Sequence, residues 1–369
     1  MPIPHVSRRR ALAGAGSAGV LVPLSRSARA APELKGTGGV IVFDGGGAWG
    51  KAQRVAYFEP FEKATGIKVV AAPRGPAGKF RASILAGAPA YDVADVSAGQ
   101  LGTFLQDKLL LAIDYSVFDQ ADRAAFEPVA AGDYMVPALF YSLVVSYSTA
   151  QFKKGGPSDW AQLWDTKAFP GQRSIAAGSQ GPGGATYEIA LLADGVAPDR
   201  LYPLDFDRAL RSLDRIRPQV QKFWNAGAEP VQALIDGNVA AASAWNGRIL
   251  DMQAQGGSLD LSWTQGILQW DAWVVPKGAA NPGNAMKFLA FVSRPDRQAS
   301  FAQAIAYGPP NARAYDLIPP DRARVLPTAP PQRDRQIVQN YDFWASSVRP
   351  GFTNEQRATE LWEAWVTKG

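Results

Sequence analysis

Gly45 and Gly50-Lys51 stand at the spacing of a phosphate-binding loop, between the apolar run Val40-Ile41-Val42-Phe43 and a helix-like segment. Such a loop needs Ser or Thr next, to hold Mg²⁺, and this chain has Ala52. Two readings of the turn stay open: a plain turn, or one whose Gly46 and Gly47 let a ligand approach the backbone. Trp49 follows as a candidate cleft aromatic. Trp270 and Trp273 flank Asp271. Trp273 precedes Val274-Val275 and is expected in the core, which leaves Trp270 as a candidate for ligand contact, while Asp271 between them either meets a ligand or makes a hinge hydrogen bond. Ser97 ends an apolar run and either donates to a ligand or caps a helix. Arg248 either meets a carboxylate or forms a surface ion pair. Glu355, Glu360 and Glu363 read as a solvated helix face.

The absent residue types narrow the chemistry. The chain has no Cys and one His, His5. Beyond that residue, zinc sites built on thiolate or imidazole are excluded, as are Ser-His-Asp and Cys-His catalysis. Disulfides and a lipid-modified Cys are excluded too.

His5 itself lies in a segment that reads as an export signal. Ser7-Arg8-Arg9-Arg10 is followed by an uncharged stretch from Ala11 to Leu24 and then by Ala28-Arg29-Ala30. A charged start, a short apolar middle and an A-x-A end are the parts of such a signal. The paired arginines resemble a twin-arginine signal, assigned to residues 1–30. That segment also explains the charge. The whole chain carries 38 Lys and Arg against 33 Asp and Glu. Removing Arg8, Arg9, Arg10, Arg26 and Arg29 leaves balanced charge, with no basic cluster of the kind that displaces phosphate counterions. No nucleic-acid partner is expected, and a soluble, unanchored periplasmic protein is.

The elements that must position these residues follow from the hydrophobic pattern. Residues 40–43, 67–70 and 92–96 read as strands. A helix carrying Val55, Phe58, Phe61 and Ala64 toward a core, and helices over 79–86 and 101–109, alternate with them. That order implies a parallel sheet covered by helices. Residues 140–147 read as a strand crossing into a second lobe, and 270–275 as a crossing back. Helices are expected over 186–193, 205–216, 230–236, 284–292 and 296–304, with an amphipathic helix at Leu361, Trp362 and Trp365. Ligands in open α/β sheets sit beyond the carboxyl ends of strands, which points to residues 44–50, 97–100, 178–184 and 246–248.

With the elements in place, a resemblance emerges. Phe58-Glu59-Pro60-Phe61-Glu62-Lys63-Ala64-Thr65-Gly66-Ile67-Lys68-Val69 is similar to the first helix and second strand of periplasmic solute-binding proteins. Trp245-Asn246-Gly247-Arg248 and Asp271-Ala272-Trp273-Val274-Val275-Pro276-Lys277-Gly278 resemble segments of the spermidine/putrescine-binding branch. Asn284-Ala285-Met286-Lys287-Phe288, Arg294-Pro295-Asp296, Tyr307-Gly308-Pro309-Pro310-Asn311 and Leu317-Ile318-Pro319-Pro320 continue it in order. The resemblance implies an α/β, type II-like periplasmic-binding-protein fold: two lobes, a hinge and an interlobe cleft. It sets lobe 1 at residues 31–143 plus 271–314 and lobe 2 at residues 144–270 plus 315–369. It also implies that Trp245 packs on a ligand's methylenes, that Asp271 receives an amino group and that Tyr307 lines the cleft. Carboxylates and aromatic faces both favour an ammonium, at ~0.5–2 kcal/mol per ring.

Two departures bear on the ligand. The aromatic-acid cluster that polyamine receptors carry after the first strand is replaced by Asp44-Gly45-Gly46-Gly47-Ala48-Trp49-Gly50. Their acid pair in the second lobe is replaced by Gly178-Ser179-Gln180-Gly181-Pro182-Gly183-Gly184, and the next acid is Glu188. A ligand with one amine, such as an ω-amino acid, is then as good a fit as a polyamine. The expected protein is a monomeric, cofactor-free receptor serving an ABC permease. A carbohydrate-active enzyme needs two carboxylates in an aromatic cleft, and only Asp271 offers itself there. A receptor for an anion or for iron needs an anion nest or paired tyrosines, and no Tyr-Tyr pair occurs.

Overall fold

The computed structural model describes residues 33–73, 75 and 77–368. The expected export signal lies outside the described residues. Strands β1 (Gly39–Asp44) and β2 (Lys68–Pro73) pair in parallel, Val40 opposite Val69. Between them the helix Gly47–Gln53 passes through a π-helical turn, Arg54–Phe58, into the helix Glu59–Thr65. Gly66 closes that last helix in the left-handed conformation, φ 82°, the usual glycine stop. The π turn adds a residue to the cycle and rotates the buried face. Ala56, Tyr57, Phe58 and Phe61 face the core, while Val55 is 60% exposed and Ala64 is exposed. The expected stripe Val55-Phe58-Phe61-Ala64 is therefore half right, because it assumed an unbroken α-helical period.

A seven-stranded sheet forms the rest of the frame. Its strands are β3 (Ala94–Ser97), β4 (Val136–Ser148), β5 (Arg173–Ala176), β6 (Val220–Trp224), β7 (Ala241–Trp245), β8 (Leu259–Val274) and β9 (Ile337–Val338). The order is β3-β8-β4-β7-β5-β6, with β9 beside β8. β5 runs parallel to β6 and β7, whereas β8 runs antiparallel to β3 and β4. This sheet is mixed, whereas the parallel pairing that the element order implied holds where it was expected, between β1 and β2 and in the parallel bridge of Val42 to Val93. The two long strands β4 and β8 cross the whole protein in opposite directions and pair with each other.

The core is divided along those strands. One cluster joins residues from Leu34 to Leu139 with Trp273 to Phe301. Another joins Leu143 to Ala241 with Ile267, Trp344, Ala358, Trp362 and Trp365. Phe61, Phe288 and Trp273 are buried in the first, Trp160 and Trp344 in the second. Each such ring contributes about 2–3 kcal/mol by leaving water. Ile318 and Leu326 pack with Ala299 and Ala302 before the chain reaches Trp344. Two hinge-crossing strands between two cores make the α/β fold two-lobed. No helix among the described residues is long and apolar enough to cross a membrane.

Candidate functional site

Cross-strand register puts the site's residues on one face of the sheet. Ser97 pairs with Asp271, and Asp95 with Trp273. Tyr141 pairs with Gln269, and Leu143 with Trp245. Directly opposed residues share a face and residues two apart repeat it. Asp95, Ser97, Tyr141, Trp245, Gln269 and Asp271 therefore all emerge on the same side.

Asp271 is 6% exposed, and its Oδ1 accepts a hydrogen bond from the Tyr141 hydroxyl at 3.1 Å. Burial pushes the Tyr141 phenol well up, and the charges of Asp271 and then Asp95 push it further. The Tyr341 phenol is raised by burial and by the charges of Asp271 and Glu188. Asp95, 6% exposed, is a second acid at the same place. It escaped the sequence reading because it lies inside a strand, although alternation with Ser97 would have found it.

The aromatic rings form a run. Trp49 meets Tyr307 edge to face at 5.8 Å, Tyr307 meets Tyr141 at 6.4 Å, and Tyr141 meets Trp245 at 6.3 Å. Trp49 and Trp245 are thus linked through two tyrosines. Tyr141 was missing from the sequence-derived set, where residues 140–147 served only as a crossing strand. The Trp49 indole N–H is buried without a partner among the described residues.

Trp245 is half-buried and held along its edges. Its Nε1 donates to Gln269 Oε1 at 3.2 Å, and Trp224 lies edge-on at 5.4 Å. Its far edge, Cζ3, lies 2.3 Å from where a Cβ on Gly227 would be, with Arg248 Nε 3.1 Å from the same point. Only glycine permits that approach. Arg248 is exposed and forms no ion pair among the described residues. The surface ion pair weighed for it from sequence is not there.

The glycine turn has a packing explanation. A Cβ on Gly45 would lie 2.5 Å from the Trp49 ring, and one on Gly50 would lie 2.1 Å from Asp44 Oδ1. The Gly45 N–H donates to Gln53 Oε1, and the Gly46 N–H donates to Asp44 Oδ1 at 2.9 Å. Gly46 and Gly47 are exposed with φ of 70° and 51°, which only glycine adopts easily. Two of the turn's donors are thus engaged by side chains, of Gln53 in the following helix and of Asp44, and a phosphate cradle is not built there.

Ser97 is the N-cap of the helix Ala98–Gln106, with Gln100 Oε1 accepting its N–H at 3.3 Å. Trp270 emerges opposite Asp271, lies edge-on to Tyr341 at 5.8 Å and lines a separate cavity of about 520 Å³ with Leu101, Leu105, Met135 and Ala345. It is not gathered with Trp49 and Trp245. Glu355 departs from the solvated face expected for it: it packs on Gly181, and burial raises its carboxyl. No group of three metal-ligating side chains occurs among the described residues.

Comparison with known proteins places the fold in a family. The class defined by two lobes, a double crossing and an aromatic-acid cluster is that of solute-capturing receptors. A solved GABA receptor superposes with a TM-score of 0.77 at 33% identity, over 89% of this chain and 98% of its own. The gamma-aminobutyric acid-binding protein of Pseudomonas aeruginosa is 34% identical over 335 residues, 89% of this chain and 91% of that protein. The spermidine/putrescine-binding periplasmic protein of Escherichia coli is 24% identical over 300 residues, 79% of this chain and 82% of that protein. The bacterial extracellular solute-binding protein family matches residues 56–331, and the chain belongs to it.

Proposed function

We propose that the protein captures an ω-amino acid of the 4-aminobutyrate class in the periplasm and delivers it to an ABC permease. The ligand's ammonium meets Asp271, with Asp95 behind it and the faces of Tyr141 and Tyr307 around it. Its methylenes lie along Trp245, and its carboxylate meets Arg248. The Trp49 indole N–H is a further donor within the same ring cluster. Gly46, Gly47 and Ser97 shape the cleft edge, and Trp270 stands outside the ligand's reach.

One observation carries the reading. The Nε1 edge of Trp245 points to the strand that bears Asp271, and its opposite edge borders Arg248. Anion and cation thus flank one flat apolar surface, which is the charge pattern of a zwitterion. The two acids, Asp95 and Asp271, sit diagonally on adjoining strands. They serve one end of a ligand, whereas a diamine needs an acid at each. The relatives named for gamma-aminobutyric acid are also more similar to the chain than the polyamine-binding one. A receptor makes and breaks no bond; the ligand stabilises the closed lobes by binding them better than the open ones.

Calorimetric titration with 4-aminobutyrate, putrescine and butyrate tests this. Wild type should bind 4-aminobutyrate best. Arg248→Ala should lose that preference over putrescine. Tighter binding of putrescine by wild type, with no effect of Arg248→Ala, would overturn the proposal.

A further inference from the structure

The Trp245 indole does not hold its own position. An indole N–H only donates, so it needs an acceptor. That acceptor is Gln269 Oε1, on a side chain with no solvent exposure. Which end of the Gln269 carboxamide faces Trp245 depends on what lies behind it. Its Nε2 is surrounded by oxygen: Pro182 O at 2.9 Å, Gly183 O at 3.2 Å and Gln339 Oε1 at 3.0 Å. The Gln339 carboxamide, 3% exposed, is oriented in turn. Its Nε2 donates to Pro182 O at 2.7 Å and to Glu188 Oε1 at 2.9 Å.

Glu188 is fully buried, and the same Oε1 also accepts from Tyr202 at 2.9 Å and from Trp344 Nε1 at 2.8 Å. A carboxyl that already receives three donors on one oxygen fixes the sense of everything in front of it. Turning either amide over would set nitrogen against nitrogen and oxygen against oxygen, at side chains buried away from bulk solvent.

We propose that Gln269 is the positioning residue of Trp245, and that Gln339 and Glu188 fix the direction in which its carboxamide points. The chain of bonds runs from the second core, through the Pro182–Gly183 carbonyls, to the ring assigned to the ligand's methylenes. It therefore rests on the ligand reading above, and it adds a specificity-determining group that touches no ligand. The residue is legible in hindsight: a polar residue between Leu268 and Trp270, in a strand buried on both sides, needs a buried partner.

The test uses the full exported protein with ¹⁵N-labelled tryptophan. The Trp245 indole N–H signal is the one missing in Trp245→Phe. In the ligand-free protein, Gln269→Met should shift or broaden that signal, and Gln339→Met should shift it less in the same direction. Glu188→Gln keeps an acceptor oxygen for Gln339 and should leave it in place. Affinity for 4-aminobutyrate should fall roughly five- to tenfold in Gln269→Met, a loss that disappears in the Trp245→Phe background.

An unmoved Trp245 signal in folded Gln269→Met overturns the proposal. So does an equal loss of affinity with and without Trp245, because Gln269 then acts on the ligand or on folding in general. Should wild type bind none of the ligands, the ligand reading fails on its own, while the ligand-free spectrum still tests the positioning role.

Discussion

In the proposed site, Asp271 and Arg248 take the two charged ends of the ligand at opposite edges of one indole, and single substitutions separate their contributions. Asp271→Asn leaves a buried ammonium without its counter-charge and should weaken 4-aminobutyrate binding on the order of 100-fold, read by calorimetry. Gly227→Ala should act at a distance from both charges: its methyl would meet the Trp245 ring, which must move, and affinity should fall while the protein stays folded. Glu188 gives a pH signature. Burial raises its carboxyl above the usual 4.5. Its contribution to stability is then fully present below that value and is lost as pH rises through the raised folded value. Denaturant titrations should show wild type losing stability relative to Glu188→Gln as pH rises above 4.5. Asp271 stood out in the sequence through the resemblance of Asp271-Ala272-Trp273-Val274 to a family segment. Tyr141, Asp95 and Gln269 did not, since each lies inside an apolar run and acquires its role only through pairing with another strand.

Helix starts and stops were the most readable elements, because their causes are local: Gly66 at a left-handed C-cap and Ser97 at an N-cap. The π turn at residues 54–58 and the antiparallel sense of β8 were not readable, since both depend on what packs against them. The helix Ala98–Gln106 shows how an element can influence binding without touching ligand. Cβ atoms at Gly99 and Gly102 would lie 3.0 Å from Pro182 Cγ and 3.2 Å from Ala345 Cβ. This smooth face packs the helix, whose Leu101 and Phe104 are buried in a further core cluster, against Pro182 and against the helix that carries Trp344. Gly102→Leu should wedge them apart and weaken ligand binding roughly tenfold by opposing closure. Small-angle scattering should show the variant remaining more extended in saturating ligand than wild type.

The whole molecule couples ligand to stability by mass action. A ligand at ~100 times its dissociation constant should add ~2.7 kcal/mol to unfolding, so 4-aminobutyrate should raise the melting midpoint and butyrate should not. The two crossings were legible from the pattern, since residues 140–147 and 270–275 read as strands passing between lobes, and the resemblance supplied the hinge and cleft; that β4 and β8 pair with each other along their length was not legible. That crossing has a consequence for how the protein is made. Residues 34–139 pack against residues 273–301, and residues 143–241 pack against Trp344 to Trp365. Each lobe closes around a segment synthesised long after it, so neither can reach its native state on the ribosome until the chain has grown past its distant complement. The nascent polypeptide must travel most of its length unfinished, and release of residue 365 completes the second core long after most of its strands have been made.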